Sequence, residues 1–350
     1  MRRKLKIFVP ILLAWGLSFF ISIKLGIVIT ALLFLALCFF VIFSLLNMLV
    51  KKTNWWKNQY KATEQFVSNE GYRDNIIRNY DVVNLGSNPA RFAFFYDKVK
   101  GQSWATGSQG QDMDFEILKY YHSYLKKGAT VLIPIMPFTA ISTYLKERPE
   151  YWDMTYYSKF AKILDKEQVN HFPGGNVLRK YLKNPLRYNK GSLRYVFCDV
   201  QLDNRYQLAE QPMMKMELEQ DANKWVVGWL KEFKIRNLND VLEDRWKKYY
   251  DEALELNKRI VEFCLERDLK PVFICVPMTK HLSDLFPVGF YQHMIKDFVN
   301  QANCYNIPFL DYTYNESLQD DSLYFNSFFL NLKGRKLFTR QVLNDLGIRS

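Results

Sequence analysis

Val82-Val83-Asn84-Leu85-Gly86-Ser87-Asn88-Pro89 is the stretch from which the fold can be read. A short run of β-branched and aliphatic residues is the pattern of a strand buried on both faces. Gly86 provides the turn that ends it. Pro89 suits the first turn of a helix, where a missing N–H breaks no bond. Strand, tight loop and helix start therefore follow one another across Asp81–Ala90.

Working outward, Thr130–Met136, Pro271–Val276 and Ile307–Asp311 are similar runs, each bounded by Gly, Pro or Asn. Amphipathic helices are expected between and after them, at Asp112–Lys126, Leu238–Leu269, Phe290–Tyr305 and Lys333–Leu346. The longest repeats Val241, Leu242, Trp246, Tyr249, Ala253, Leu256 and Ile260 at helical spacing. Strands alternating with helices predict an α/β domain with a parallel sheet built from right-handed crossovers. About 130 residues separate the second strand from the third, far more than one crossover needs. Residues 140–237 are therefore expected to form a helical insertion. It contains His171-Phe172-Pro173-Gly174-Gly175 and Met213-Met214-Lys215-Met216. Trp225, Trp229 and Phe233 recur there at helical spacing, a stripe that more often packs in a core than stacks on sugar rings.

The amino-terminal part reads differently. Residues 7–50 are almost wholly apolar, with Lys24 as their one charge. One helix of that length would run about 66 Å, twice a hydrocarbon core of about 30 Å. A membrane hairpin is the expectation, with spans at 7–23 and 25–50 and its turn at Lys24-Leu25-Gly26. At a turn the ammonium reaches water, whereas in mid-bilayer it costs roughly 3 kcal/mol. Basic residues on both outer flanks place both termini in the cytoplasm, with Trp55 and Trp56 in an interfacial belt. If only the second segment inserts, the soluble domain lies outside. The division is thus an anchor at 1–52, a juxtamembrane linker at 53–80 and a domain at 81–350.

Charge and cysteine content exclude several function classes. The chain of 350 residues has 48 Lys and Arg against 36 Asp and Glu, a net charge of +12. Nine of the basic residues lie within 1–61, where no acidic residue occurs, so the other 289 residues carry only +3. That is a membrane-flank signature, and no nucleic-acid partner is expected. Five cysteines are widely spaced, with no CxxC or Cys/His ligand pattern. Core packing is the reading for Cys198, Cys264, Cys275 and Cys304, and no metal is expected. Neither a phosphate loop nor a dinucleotide fingerprint occurs, and no cofactor is expected.

Gly86-Ser87-Asn88 and Asn326-Ser327-Phe328-Phe329-Leu330-Asn331 resemble the first and last signature blocks of the SGNH/GDSL hydrolase superfamily. The resemblance covers residues 80–140 and 270–347 and implies a flavodoxin-like three-layer domain. In that family the last residue of the first block is the nucleophilic Ser, and the final block is Asp-x-x-His. Here Asn88, Asn326 and Phe329 stand at the Ser, Asp and His positions. An amide is no nucleophile at ordinary pH, and a phenyl ring moves no proton. Catalytic residues are therefore not expected at those places. Ser103-Trp104-Ala105-Thr106-Gly107-Ser108-Gln109 and Val131–Phe138 are similar to landmarks of membrane-anchored bacterial proteins of surface-polysaccharide assembly. The resemblance implies a degenerate enzyme that binds glycan or scaffolds membrane partners in envelope or exopolysaccharide synthesis. Its crevice would comprise Gly86, Ser87, Asn88, Gly107, Ser108, Asn326 and Phe329. The family's Gly-x-Asn oxyanion motif is not recognisable after Met136.

Two rival readings remain open. His281 follows a strand's carboxyl end, so Ser87 or Ser327 as nucleophile and Asp311, Asp320 or Asp321 as orienter would complete a relocated triad of an esterase or O-acyltransferase. A solvated loop histidine is the plainer account of His281. A purely structural anchor is the third possibility.

Overall fold

The computed structural model describes residues 23–54, 79–147 except 106 and 108, 186, 190–199 and 214–348. Five strands, β1 (Tyr80–Asn84), β2 (Gly101–Ser103), β3 (Leu125–Pro134), β4 (Lys270–Cys275) and β5 (Phe309–Asp311), form one sheet. Their order is β2-β1-β3-β4-β5, and every neighbouring pair is parallel. The longer helices are α1 (Ile23–Lys52), α2 (Gln111–Tyr121), α3 (Lys215–Phe233), α4 (Lys247–Leu265) and α5 (Leu332–Asp345).

Side-chain alternation explains the layers. Val83, Val131, Ile133, Phe273 and Cys275 turn to one face, into a core with Leu118 of α2, Ile260 of α4 and Phe298. Val82, Leu132, Val272 and Ile274 turn to the other, where they meet Phe338 and Val342 of α5. With both faces covered, the strands must be apolar throughout, as their sequence shows. The strand order is that of flavodoxin-like doubly wound sheets. The chain leaves β1 toward β2 and then crosses to β3 on the other side. In doubly wound sheets, ligands bind beyond the strands' carboxyl ends at such a switch, here between β1 and β3.

Several element boundaries differ from expectation, each for a local reason. β2 carries no apolar run; it joins because the main chain of Val82–Asn84 offers a free edge to Gly101–Ser103. α2 ends at Tyr121 because Leu125 already pairs with Tyr80 at the start of β3. The helix expected at Leu238–Leu269 is α only from Lys247; Leu238–Leu242 and Asp244–Trp246 are 3-10 turns. There Asn237 accepts from the Asn239 amide at 3.0 Å and Asp240 from the Arg236 amide at 2.7 Å. Such local bonds compete with helical ones. A π-helical turn, Gln292–Asp297, lies between the α-turns Val288–Tyr291 and Phe298–Ala302.

Residues 23–54 group with residues 186 and 190–199 as a separate compact unit. α1 continues through Lys24-Leu25-Gly26, so the hairpin turn expected there is replaced by helix. One glycine in an apolar helix costs only about 1 kcal/mol, too little to force a break. Residues 1–22, Trp55, Trp56, the rest of the linker to 78 and His171–Gly175 lie outside the described residues. Ile27–Lys52 is long and apolar enough to cross a membrane. Cys264 and Cys275 are buried as expected, whereas Cys198 and Cys304 are exposed.

Candidate binding crevice at the carboxyl edge of the sheet

β1 delivers the Gly86 loop to the switch point. Gly86 has φ +108°, and an added Cβ would lie 2.9 Å from the Ala90 Cβ and 3.0 Å from the Pro134 Cγ. Only glycine fits both the backbone angle and the space. Beneath the loop, Asn84 is wholly buried and bonded to Ser103 Oγ at 3.0 Å and by the Tyr96 hydroxyl at 3.1 Å. Ser87 is half-buried; its carbonyl accepts from the Arg91 amide at 2.9 Å, which starts the short helix Asn88–Arg91.

Asn88 points toward the 104–109 loop. A Cβ on Gly107 would come within 3.1 Å of the Asn88 Oδ1, so the glycine allows this approach. That oxygen is buried and accepts no hydrogen bond among the described residues. Ser108, a candidate from sequence, lies outside the described residues. Behind the loop, Asp114 of α2 accepts from the Gly86 amide at 2.8 Å and from the Gln109 side chain. Burial raises its carboxyl to about 7, against the lowering effect of those two donors. The signal for Asp114 was an acid on the buried side of an amphipathic helix, between Met113 and Phe115.

The 326–329 segment, the other half of the candidate site, packs among rings. Asn326 Oδ1 accepts from the amides of Phe328 and Phe329 at 3.0 and 2.7 Å, so it holds its own loop. Phe329 stacks on Phe92 with centroids 5.1 Å apart and meets Trp225 of α3 edge-on at 5.4 Å. Trp229 in turn covers Phe328 at 5.8 Å. α3 is pinned by Asp221, whose Oδ2 accepts from the Ser327 amide at 3.0 Å, the Ser327 hydroxyl at 2.5 Å and the Trp225 indole at 3.1 Å. No local pattern in the sequence marks Asp221, because its partner lies more than a hundred residues away.

The residues of a relocated triad are not assembled. His281 is no solvated residue: its side chain is 15% exposed, and Nε2 lies 2.9 Å from Asp321 Oδ2, with Glu219 of α3 3.9 Å from Nδ1. Asp320, beside that carboxylate in sequence, accepts from the Ser322 amide at 2.9 Å and caps its own turn. Asp311 is elsewhere, bonded to Tyr291, 2.6 Å from the Lys296 ammonium and accepting from the Thr313 amide at 3.0 Å. Burial would raise its carboxyl, but those donors outweigh burial and hold it below the usual range. Ser327 is bonded to a carboxylate, and among the described residues no serine hydroxyl is bonded to an imidazole. The His281–Asp321 imidazole–carboxylate pair has no nucleophile bonded to it among the described residues. No protein-family model matches the chain, and no curated protein is significantly similar to it in sequence.

Proposed function

We propose that this chain is a membrane-anchored, catalytically degenerate relative of the SGNH hydrolases. It serves bacterial envelope or exopolysaccharide synthesis by holding glycan, or the membrane partners that handle it, at the crevice around Asn88 and Gly107. The observation that carries the reading is the setting of Phe329. The position where the resemblance puts a histidine is filled by a phenyl ring stacked on Phe92 and covered by Trp225. Asn326, at the acid's position, is spent on two main-chain amides. Neither group assists a nucleophile. Amides such as Asn88 both donate to and accept from sugar hydroxyls, which suits binding without cleavage.

The test has two parts. A serine-directed fluorophosphonate probe leaves the purified chain unlabelled, and titration with envelope glycans is blunted by Asn88→Leu. An unchanged titration rejects the crevice as the glycan site. The His281–Asp321 pair favours one rival, an active esterase or O-acyltransferase. Labelling that disappears in Ser87→Ala or His281→Ala establishes that rival instead.

A further inference from the structure

The last two turns of α1 are not bare. Asn47, Val50 and Thr53 are buried, a stripe at i, i+3 and i+6, while Leu45, Met48 and Leu49 beside them are exposed. The covering chain comes from the insertion. The Leu186 amide donates to Asn47 Oδ1 at 3.1 Å, and the turns Lys190–Leu193 and Arg194–Phe197 pack on α1. Asp199 then accepts from the Asn54 amide at 2.6 Å, just past the basic pair Lys51 and Lys52 that ends the helix.

These two bonds set the depth of the segment. Asn47 lies five residues before Lys52, roughly 7.5 Å along the axis. The layer between hydrocarbon core and bulk water is about 5–8 Å thick on each side of a bilayer. A chain tied to α1 at both Asn47 and Asn54 therefore occupies that layer if α1 spans. Its outward side chains suit the place. Phe197 is 82% exposed, an unusual state for a phenyl ring in water. Arg194 lies over the Tyr195 ring, 4.7 Å from its centroid, with its guanidinium 2.6 Å from the hydroxyl. An aromatic body with a cation at its polar tip is the composition of a membrane-interface belt.

We propose that residues 190–199 form a second membrane contact: an interfacial element that lies in the lipid headgroup layer beside the end of α1. Phe197 reaches the acyl chains there, and Arg194, with Lys51 and Lys52, meets lipid phosphates. The inference rests on α1 spanning the bilayer, and it gives the insertion a role the crevice does not need. The partner is the bilayer surface itself, argued from continuity with the apolar helix and from the basic charge at that level.

Cys198, exposed beside Phe197, is a native reporter. The full chain carrying Cys304→Ser and Cys38→Ala is spin-labelled at Cys198 and placed in vesicles of phosphatidylethanolamine and phosphatidylglycerol. Power saturation with oxygen and a water-soluble nickel chelate then reads its depth. The expected label lies about 5–10 Å below the phosphate level, and Phe197→Asp with Arg194→Glu returns it to water while the chain stays in the membrane. A label as open to nickel as free labelled cysteine, in a chain that resists carbonate extraction, overturns this inference alone. A chain that carbonate releases overturns the spanning of α1 as well.

Discussion

The rings of Phe92 and Phe329 lie nearly parallel, with centroids 5.1 Å apart and planes within 17°. Phe92 ends the short helix that begins at Asn88, and Phe329 belongs to the loop before α5. The segment that follows β1 and the segment that precedes α5 thus meet here through hydrocarbon. Trp225, Phe325 and Phe328 complete the cluster around Phe329.

Phe329→Ala is therefore expected to act on stability rather than on chemistry. Removing a ring that is 7% exposed and touches four others should cost about 3–5 kcal/mol. Thermal unfolding in nanodiscs measures it. Phe329→His should also lower the midpoint and confer no esterase turnover. A variant that melts like the parent would show that the cluster is loosely packed.

Asp221 is the pin of α3. Asp221→Ala strands the Ser327 amide and hydroxyl and the Trp225 indole at once, at a cost of about 2–4 kcal/mol. Hydrogen exchange at the Ser327 amide should then accelerate markedly, while exchange within β4 stays slow. Equal acceleration in both places would mean that the whole domain, not this contact alone, depends on the carboxylate.

Asp114 predicts a pH dependence. Burial raises its carboxyl from 3.8 to about 7, so the folded chain keeps a proton that the unfolded chain has released across that interval. Its contribution is most favourable below pH 4 and declines up to about pH 7, by as much as ~4 kcal/mol, and is flat beyond. Asp114→Asn keeps an acceptor for the Gly86 amide and removes the titration. Relative to the parent, the variant should gain stability between about pH 4 and pH 7. Parallel curves for the two chains would reject a protonated Asp114.

The membrane reading is equally open to measurement. Leu35 and Phe39 lie near the middle of α1 and are exposed. Replacing both with Lys should cost roughly 3 kcal/mol each in the bilayer and reduce the carbonate-resistant fraction sharply. A reporter fused after Ser350 gives the side of the membrane on which the sheet domain lies.

Much of the architecture is legible because hydrophobic periodicity is local. Val82–Leu85, Val131–Ile133 and Val272–Ile274 announce buried strands by composition, and their spacing demands parallel pairing. The apolar run from Ile27 through Val50 declares α1 in the same way. Gly86 and Pro89 mark the loop at the switch point for steric reasons that hold in any context. By itself, then, the chain's order of residues determined an α/β parallel sheet, an apolar helix ahead of it and a glycine turn at the crevice.

Which polar groups meet follows from the packed layers, not from neighbours in sequence. Asp221 reaches Ser327 across 106 residues, and His281 finds Asp321 rather than Asp311 across 40. Asp311 is instead taken up by Tyr291 and by Lys296 on a π-helical turn that no periodicity reveals. β2 owes its existence to a neighbour's free edge, and the segment 190–199 owes its place to the end of α1. Strand and helix patterns arise from neighbours along the chain. A hydrogen bond between distant side chains depends on how whole layers settle against one another, and packing alone sets that geometry.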